Sequence, residues 1–256
     1  MSTEEVFRVA RENFETVKST WAPYRDVAEG VFFVDTGDAY ESSRLLFPGL
    51  LDGVPTGIAR PVFALPHSAM LLVADGGRDA AVQQLAEIAQ REFSASPHPL
   101  SPALYTVDER RTVFPYYAEG NGRGAHAIRR GHQLLAMSDY NEQTALLDRQ
   151  FQEEGVDIYV AKLSLATSPN GRSYTFTTWA PADTLLPRAD YVGIALLEPI
   201  DGRKFLLVSW DEAQRIAGTT WEPSDEYEPP RWRLRAGPSD ALLAELRCHA
   251  VEPNKI

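Results

Sequence analysis

The sequence predicts an α+β fold built from two mixed, mainly antiparallel sheet-plus-helix halves. Apolar residues recur at helical spacing in several segments, short apolar runs lie between these segments, and tight turns join the runs in pairs. A parallel doubly wound sheet would need a strict strand–helix–strand order, which the chain lacks. With 256 residues, of which 44% are hydrophobic, the chain is long enough to bury a core without disulfides.

The chain opens with an amphipathic helix. Ser2 and Glu5 have the spacing of a capping box, and Pro23 marks the end of the helical pattern. The apolar positions of this helix share spacings of three and four residues, and they are Val6, Ala10, Phe14, Val17 and Trp21. We expect this helix to pack against the rest of the protein.

The remainder of the N-terminal half alternates strands, one helix and loops. The predicted strands are short apolar runs bounded by turn residues, at 31–34, 62–65, 70–74, 104–107 and 112–117. The second and third of these form a hairpin with His67 at its tip, and a helical stripe covers residues 82–93. Residues 47–55 and 94–102 are predicted loops because Gly, Pro and Ser are frequent there.

The glycines between Gly120 and Gly124 interrupt regular structure and predict a boundary between the halves. We expect an N-terminal half over 1–120, a Gly/Arg-rich connector over 121–132 and a C-terminal half over 133–256, or else one continuous domain. The next helix is expected to begin near Asp139 and to end at Gly155.

Two hairpins and two short helices follow that helix. The first hairpin pairs 157–166 with 172–179 through Pro169-Asn170-Gly171, and the second pairs 191–197 with 204–210. The short helices are predicted at 211–217 and 240–249, the latter capped by Ser239.

The acidic charge balance limits the choice of partners. Lys and Arg total 25 against 36 Asp and Glu, so the net charge is −11 and a phosphate backbone would be repelled. Nucleic acid is therefore not expected as the main partner. A protein with a basic surface is favoured by charge complementarity, although an acidic surface also serves solubility alone.

The sequence lacks the motifs that are typical of several classes of protein. The single cysteine, Cys248, excludes an intrachain disulfide and any site with several cysteines, and it fits a reducing cytoplasm. We interpret Cys248 as a core residue. We expect no metal, no cofactor and no membrane partner, because the chain lacks zinc-helix, nucleophile-elbow and Walker motifs, a signal-peptide pattern and a long apolar run.

One candidate catalytic motif follows the first predicted strand. Asp35-Thr36-Gly37 resembles the aspartic-protease pattern, in which two aspartates share a proton and activate water. Only one copy is present, and the charged Asp38 stands where that family has a small residue. The alternative interpretation is an Asp-x-Gly turn at the end of a strand.

A second candidate site is the cationic stretch 122–132. Arg123, His126, Arg129 and Arg130 could bind a phosphate or carboxylate, with glycines exposing backbone N–H groups. The alternative is a mobile loop between the halves whose arginines pair with the protein's own carboxylates.

A third candidate is the connector 221–232, which is acidic, aromatic and rich in proline. Aromatic anchors beside carboxylates suit an interface with a basic protein. The residues predicted to bind a partner are Trp221, Asp225, Glu226, Tyr227, Glu228 and Trp232. The alternative is a loop whose tryptophans fold back onto the core while its carboxylates remain solvated.

Two parts of the chain resemble a bacterial family of unknown function. The first is Phe63–Val73 together with His98-Pro99-Leu100-Ser101-Pro102. The second is Leu186–Val192 together with Phe205–Trp210 and Pro229-Pro230-Arg231-Trp232. The resemblance implies a bacterial cytoplasmic protein and supplies no catalytic residues.

These observations lead to two functional hypotheses. The first is a non-catalytic binding protein of the immunity or adaptor type that engages a cationic protein partner. The second is a hydrolase or anionic-ligand-binding enzyme with a site between the halves, using Arg123, Arg129 and Arg130 on the substrate and Asp35 or Asp38 as base or metal ligand.

Overall fold

The computed structural model describes residues 2–16, 24–35, 37, 40–46, 58–110, 112–118, 120, 122–200, 203–252 and 256. The chain divides into two compact units, Met1–Tyr117 and Ala118–Ile256. Both units contain helices and sheets, and the strand pairs are mainly antiparallel, with parallel pairs in the second unit, so the predicted α+β class is confirmed.

The first unit contains one six-stranded antiparallel sheet. Its spatial order is β1-β2-β4-β3-β5-β6. The strands are β1 (Tyr24–Ala28), β2 (Val31–Val34), β3 (Pro61–Ala64), β4 (Leu72–Asp75), β5 (Leu104–Val107) and β6 (Val113–Pro115). The predicted hairpin between β3 and β4 is confirmed, with Phe63 opposite Val73. The strand β1 was not predicted from the sequence.

The helix α2 (Asp79–Ala95) covers one face of this sheet. Its buried positions recur at spacings of three and four residues and are Ala81, Val82, Leu85, Ala86 and Ala89. A 3-10 helix, Ser42–Leu46, brings Leu45 to a separate cluster that contains Phe63 and Val73. Because successive side chains of a strand point to opposite faces, this sheet has two apolar faces.

The helix α1 (Thr3–Thr16) confirms the start of the predicted helix, and Ser2 Oγ accepts a hydrogen bond from the Glu5 backbone N–H at 3.2 Å. The predicted positions Val17 and Trp21 and the predicted end at Pro23 lie outside the described residues. The expectation that its apolar stripe packs is wrong for the first two turns, because Val6 is 50% exposed. Phe14 is half-buried and contacts Tyr40 edge to face. Amphipathicity makes packing favourable, but packing also needs an apolar surface that faces the stripe.

In the second unit, the helix α3 runs from Arg123 to Glu154 and ends at Gly155 in the left-handed conformation. The predicted end is confirmed, whereas the predicted start near Asp139 is wrong. The segment from Arg123 to residue 132 is helical and is not a connector loop. Gly124 and Gly131 each cost about 1 kcal/mol of helix propensity relative to Ala, yet Ala125, Ile128 and Gly131 are buried, and this packing outweighs propensity.

The second unit contains two four-stranded sheets. One has the order β13-β14-β10-β7 and the other β12-β11-β9-β8. Their strands are β7 (Tyr159–Val160), β8 (Ser164–Thr167), β9 (Ser173–Trp179), β10 (Thr184–Pro187), β11 (Tyr191–Ile200), β12 (Arg203–Ser209), β13 (Glu222–Ser224) and β14 (Arg231–Leu234).

The two predicted hairpins, β8–β9 and β11–β12, are confirmed. The single strand predicted over 157–166 is divided, because β7 pairs in parallel with β10 in the other sheet. The pairing of β9 with β11 is also parallel. The helices α4 (Trp210–Ala217) and α5 (Asp240–Cys248) agree closely with prediction, and Ser239 caps α5 as expected.

The main core of the second unit is rich in tryptophan. Trp179, Trp210 and Trp221 are each at most 5% exposed and lie in one cluster with side chains of α3, α4 and α5. Cys248 is exposed, so its interpretation as a core residue is wrong. Leu246 is the buried residue of α5, and a helical residue two positions later points about 200° away from it.

Candidate functional site

The segment 221–232, here called the acidic segment, is attached to the core by its tryptophans. The Trp221 ring lies edge to face against Trp179 and Trp210, at centroid distances of 6.0 and 4.7 Å. Trp232 is partly buried and contacts Trp210 at 5.0 Å. The two tryptophans predicted as partner anchors therefore pack within the protein's own core, and Trp221 is 5% exposed.

Arg231 anchors the end of the acidic segment. Its side chain is 0% exposed, and its guanidinium donates to the backbone carbonyls of Tyr140, Ala161 and Leu185. It also donates to the side chains of Gln143 and Thr144. Burial lowers the pKa of Arg231 to about 10, which leaves the guanidinium charged at neutral pH. A buried charge is tolerated when its donors are satisfied in this way.

Two side chains of α3 hold the prolines before Arg231. The Tyr140 hydroxyl donates to the Pro230 carbonyl at 2.9 Å, and Gln143 Nε2 donates to the Pro229 carbonyl at 2.8 Å. Burial of Tyr140 raises the pKa of its hydroxyl, which therefore remains a donor at neutral pH. The acidic segment is thus fixed by buried contacts at both of its ends.

The carboxylates of the acidic segment point outward. Asp225, Glu226 and Glu228 are exposed, and none of them forms an ion pair with the residues that the structure describes. Glu222 differs, since Arg235 binds its carboxylate at 2.9 Å. Tyr227 is half-buried, and burial together with the neighbouring Glu226 raises the pKa of its hydroxyl. The structure therefore leaves these three acidic side chains, which are neighbours in sequence, exposed in the middle of the segment.

The predicted anion-binding residues lie on the first two turns of α3. At 100° per residue, Arg123, His126 and Arg130 fall within about 60° of one another, and Arg129 lies to one side. Arg123 and Arg129 are exposed. His126 is half-buried, and its Nε2 atom is buried without a hydrogen-bond partner among the described residues. Anion binding at these residues stays a prediction.

Asp35 lies directly after β2, as the sequence indicates, and its side chain is 46% exposed. Arg25 Nε is 4.0 Å from its Oδ2 atom. Gly37 has a positive φ of 69°, which fits the alternative interpretation of a turn after a strand. Thr36 and Asp38 lie outside the described residues.

A cleft that the sequence analysis did not identify lies between the β10–β11 connection and the start of α4. Its volume is about 370 Å³, and its polar lining includes Arg188, Asp190, Tyr191, Ser209 and Asp211. Burial raises the pKa of the Tyr191 hydroxyl, and the neighbouring Asp190 adds to the effect. The available sequence signal was Arg188 and Asp190 together in the short link between two apolar strands.

Two further features are absent from the part of the chain that the structure describes. No three His, Cys, Asp or Glu side chains there are grouped so that they could hold a metal ion. No helix in the same part is both long enough and apolar enough to cross a membrane.

The chain is 32% identical over 124 residues to a UPF0354 protein of Geobacillus thermodenitrificans (strain NG80-2). The matched stretch is 47% of this chain and 45% of that protein, so the chain spans less than half the length of the curated relative it matches. No family profile and no solved structure matches the chain. The comparison confirms a resemblance to an uncharacterised bacterial family over about half of the chain, and it names no activity.

Proposed function

We propose that the protein is a non-catalytic binding module of the immunity or adaptor type, and that its acidic segment engages a cationic protein partner. The observation that carries this proposal is the set of exposed carboxylates on Asp225, Glu226 and Glu228, none of which forms an ion pair with another described residue. Charges with no internal ion pair remain available to a partner. We place the binding in the bacterial cytoplasm, which the single cysteine favours.

The anchoring of the acidic segment supports this role. Buried Trp221 and Arg231 hold its two ends, so the carboxylates between them are presented in a restricted arrangement before a partner arrives. Binding then requires little additional ordering of this segment, which favours affinity. The overall charge of −11 would also accelerate encounter with a cationic protein at low salt.

The test compares two variants that change the net charge equally. The first removes three carboxylates of the acidic segment by Asp225→Asn, Glu226→Gln and Glu228→Gln. The second, the matched control, removes three exposed carboxylates elsewhere in the same unit by Glu153→Gln, Glu154→Gln and Asp157→Asn. Each tagged protein is incubated with a bacterial lysate, and retained proteins are quantified by mass spectrometry. A retained candidate is then purified and its affinity measured by calorimetry.

We expect one basic protein to bind the wild type and the control stoichiometrically and to bind the first variant at least about tenfold more weakly. Its affinity should also fall as salt rises, because exposed charges are screened. Equal binding by all three proteins would show that the acidic segment is not the interface. If no basic protein binds the wild type, the proposed function is wrong.

A further inference from the structure

The cleft beside α4 has the size and the chemistry of a small-molecule site. Its volume of about 370 Å³ lies within the usual range of ligand pockets, about 300 to 1,000 Å³. The β10–β11 connection contributes one wall with Arg188 and Asp190. Ser209, Trp210 and Asp211 contribute the other wall, at the N-terminus of α4, where the helix dipole favours negative charge.

Arg188 offers a positioned guanidinium at this cleft. It stacks over the ring of the buried Trp210 at 4.8 Å, which restricts its orientation. Among the described residues, a carboxylate binds Arg188 at Nη2 alone, which donates to Asp211 Oδ1 at 3.1 Å. Nε and Nη1 donate to no acceptor among the described residues. The guanidinium therefore retains donors for a ligand.

The Asp211 carboxylate is a replaceable partner. Its side chain is 85% exposed, and Arg188 is 49% exposed. Ion pairs exposed to this degree contribute little to stability. A ligand carboxylate could take the place of Asp211 and bind Arg188 through two parallel hydrogen bonds, which is the stronger arrangement.

Asp190 supplies a fixed negative group near Arg188. Its Oδ2 atom accepts hydrogen bonds from the Thr175 backbone N–H at 2.7 Å, the Thr175 hydroxyl at 2.9 Å and Gln133 Nε2 at 3.0 Å. Its Oδ1 atom accepts none from the described residues. An ammonium group is the natural complement to a positioned carboxylate oxygen that has no donor.

We propose that this cleft binds a small zwitterion of the free α-amino acid class. Arg188 binds the carboxylate of the ligand, and Asp190 Oδ1 accepts a hydrogen bond from its ammonium group. The mixed charge of the lining favours this class over a simple anion, which Asp190 would repel, and over a simple cation, which Arg188 would repel. None of the residues that line this cleft belongs to the acidic segment.

The test follows the indole N–H resonance of Trp210 by NMR while the standard L-amino acids are added singly. The matched probes are the amide of the best ligand, which lacks the carboxylate, and its N-acetyl form, which lacks the ammonium. We expect a saturable shift with at least one amino acid, and binding at least about tenfold weaker with both derivatives. The proposal is overturned if no amino acid shifts the resonance up to about 10 mM, or if either derivative binds as tightly.

Two substitutions test the assigned role of Arg188. Arg188→Met retains the length of the side chain without its donors, and Arg149→Met on the exposed surface of α3 is the matched control. We expect at least about tenfold weaker binding only in the first variant. Arg188→Lys keeps the charge without the planar fork, so it provides the same test if Arg188→Met does not fold. Unchanged affinity in the folded Arg188 variant would disprove the assignment.

Discussion

At the scale of single residues, Arg231 is a charged side chain that is fully buried in the second unit. It carries a charge at 0% exposure, and its donors bind neutral oxygen acceptors on α3 and β10 and in the link after β7. These acceptors come from residues between 40 and 100 positions away in sequence, so no local pattern around Arg231 indicated them. In the sequence, Arg231 stood out only as a member of the connector 221–232 and of the motif Pro229-Pro230-Arg231-Trp232.

We expect Arg231→Met to lower the free energy of unfolding by about 3 kcal/mol or more, because it removes the buried hydrogen bonds of the guanidinium to three backbone carbonyls and two side chains. Urea unfolding followed by tryptophan fluorescence measures this change. The control is Arg235→Met, whose partner Glu222 is exposed, so that its expected effect is below about 0.5 kcal/mol. Equal unfolding midpoints for the two variants would show that the buried contacts of Arg231 do not stabilise the fold.

At the scale of elements, the start of α3 is the clearest difference between expectation and structure. Gly120, Gly122 and Gly124 suggested a loop because glycine is a poor helix former. Helix formation there depends on Ala125 and Ile128, which are buried, and on Gln133, which bonds to Ser173 and Asp190. Those partners are 40 and 57 residues away, beyond the reach of a local pattern.

We expect Arg123→Glu to stabilise the protein by about 0.3 to 1 kcal/mol, because a negative charge in the first turn interacts favourably with the helix dipole. The first turn of α3 contains no acidic residue at present. Thermal unfolding measures the change, and Arg172→Glu, at an exposed turn position, controls for net charge. If both substitutions shift the melting temperature equally, α3 does not begin at Arg123.

At the scale of the whole molecule, each compact unit has its own hydrophobic core. Phe63 and Val73 lie in a cluster of the first unit, whereas Trp179 and Trp210 lie in a cluster of the second. A unit with its own core can in principle fold alone. The division into two separate domains stays a prediction, and the presence of a core in each unit makes it testable.

We expect a fragment spanning Ala118–Ile256 to fold without the first unit, because its two sheets and its tryptophan cluster lie within that range. Near-UV circular dichroism and urea unfolding of the purified fragment measure this. A cooperative transition together with the signal of ordered tryptophans is the expected result. A fragment without cooperative unfolding would show that the second unit depends on the first.

The elements that the sequence alone determined are those stabilised by local patterns. The turn Pro169-Asn170-Gly171 joins β8 to β9, the cap of α5 lies at Ser239, and the short apolar runs of β2, β3 and β5 place these strands correctly. Each of these signals acts over a few residues. Composition likewise determined the acidic surface charge from the sequence alone.

Only the tertiary structure decided which side chains of the candidate sites are available. It buried Trp221 and Arg231, left Asp225, Glu226 and Glu228 exposed, and brought Arg188 over Trp210 at the cleft. The physical reason is that burial and hydrogen bonding in the second unit join residues from α3, several strands and α4, which are far apart in sequence. A local pattern identifies an aromatic or charged residue, and long-range packing determines whether it faces the core or a ligand.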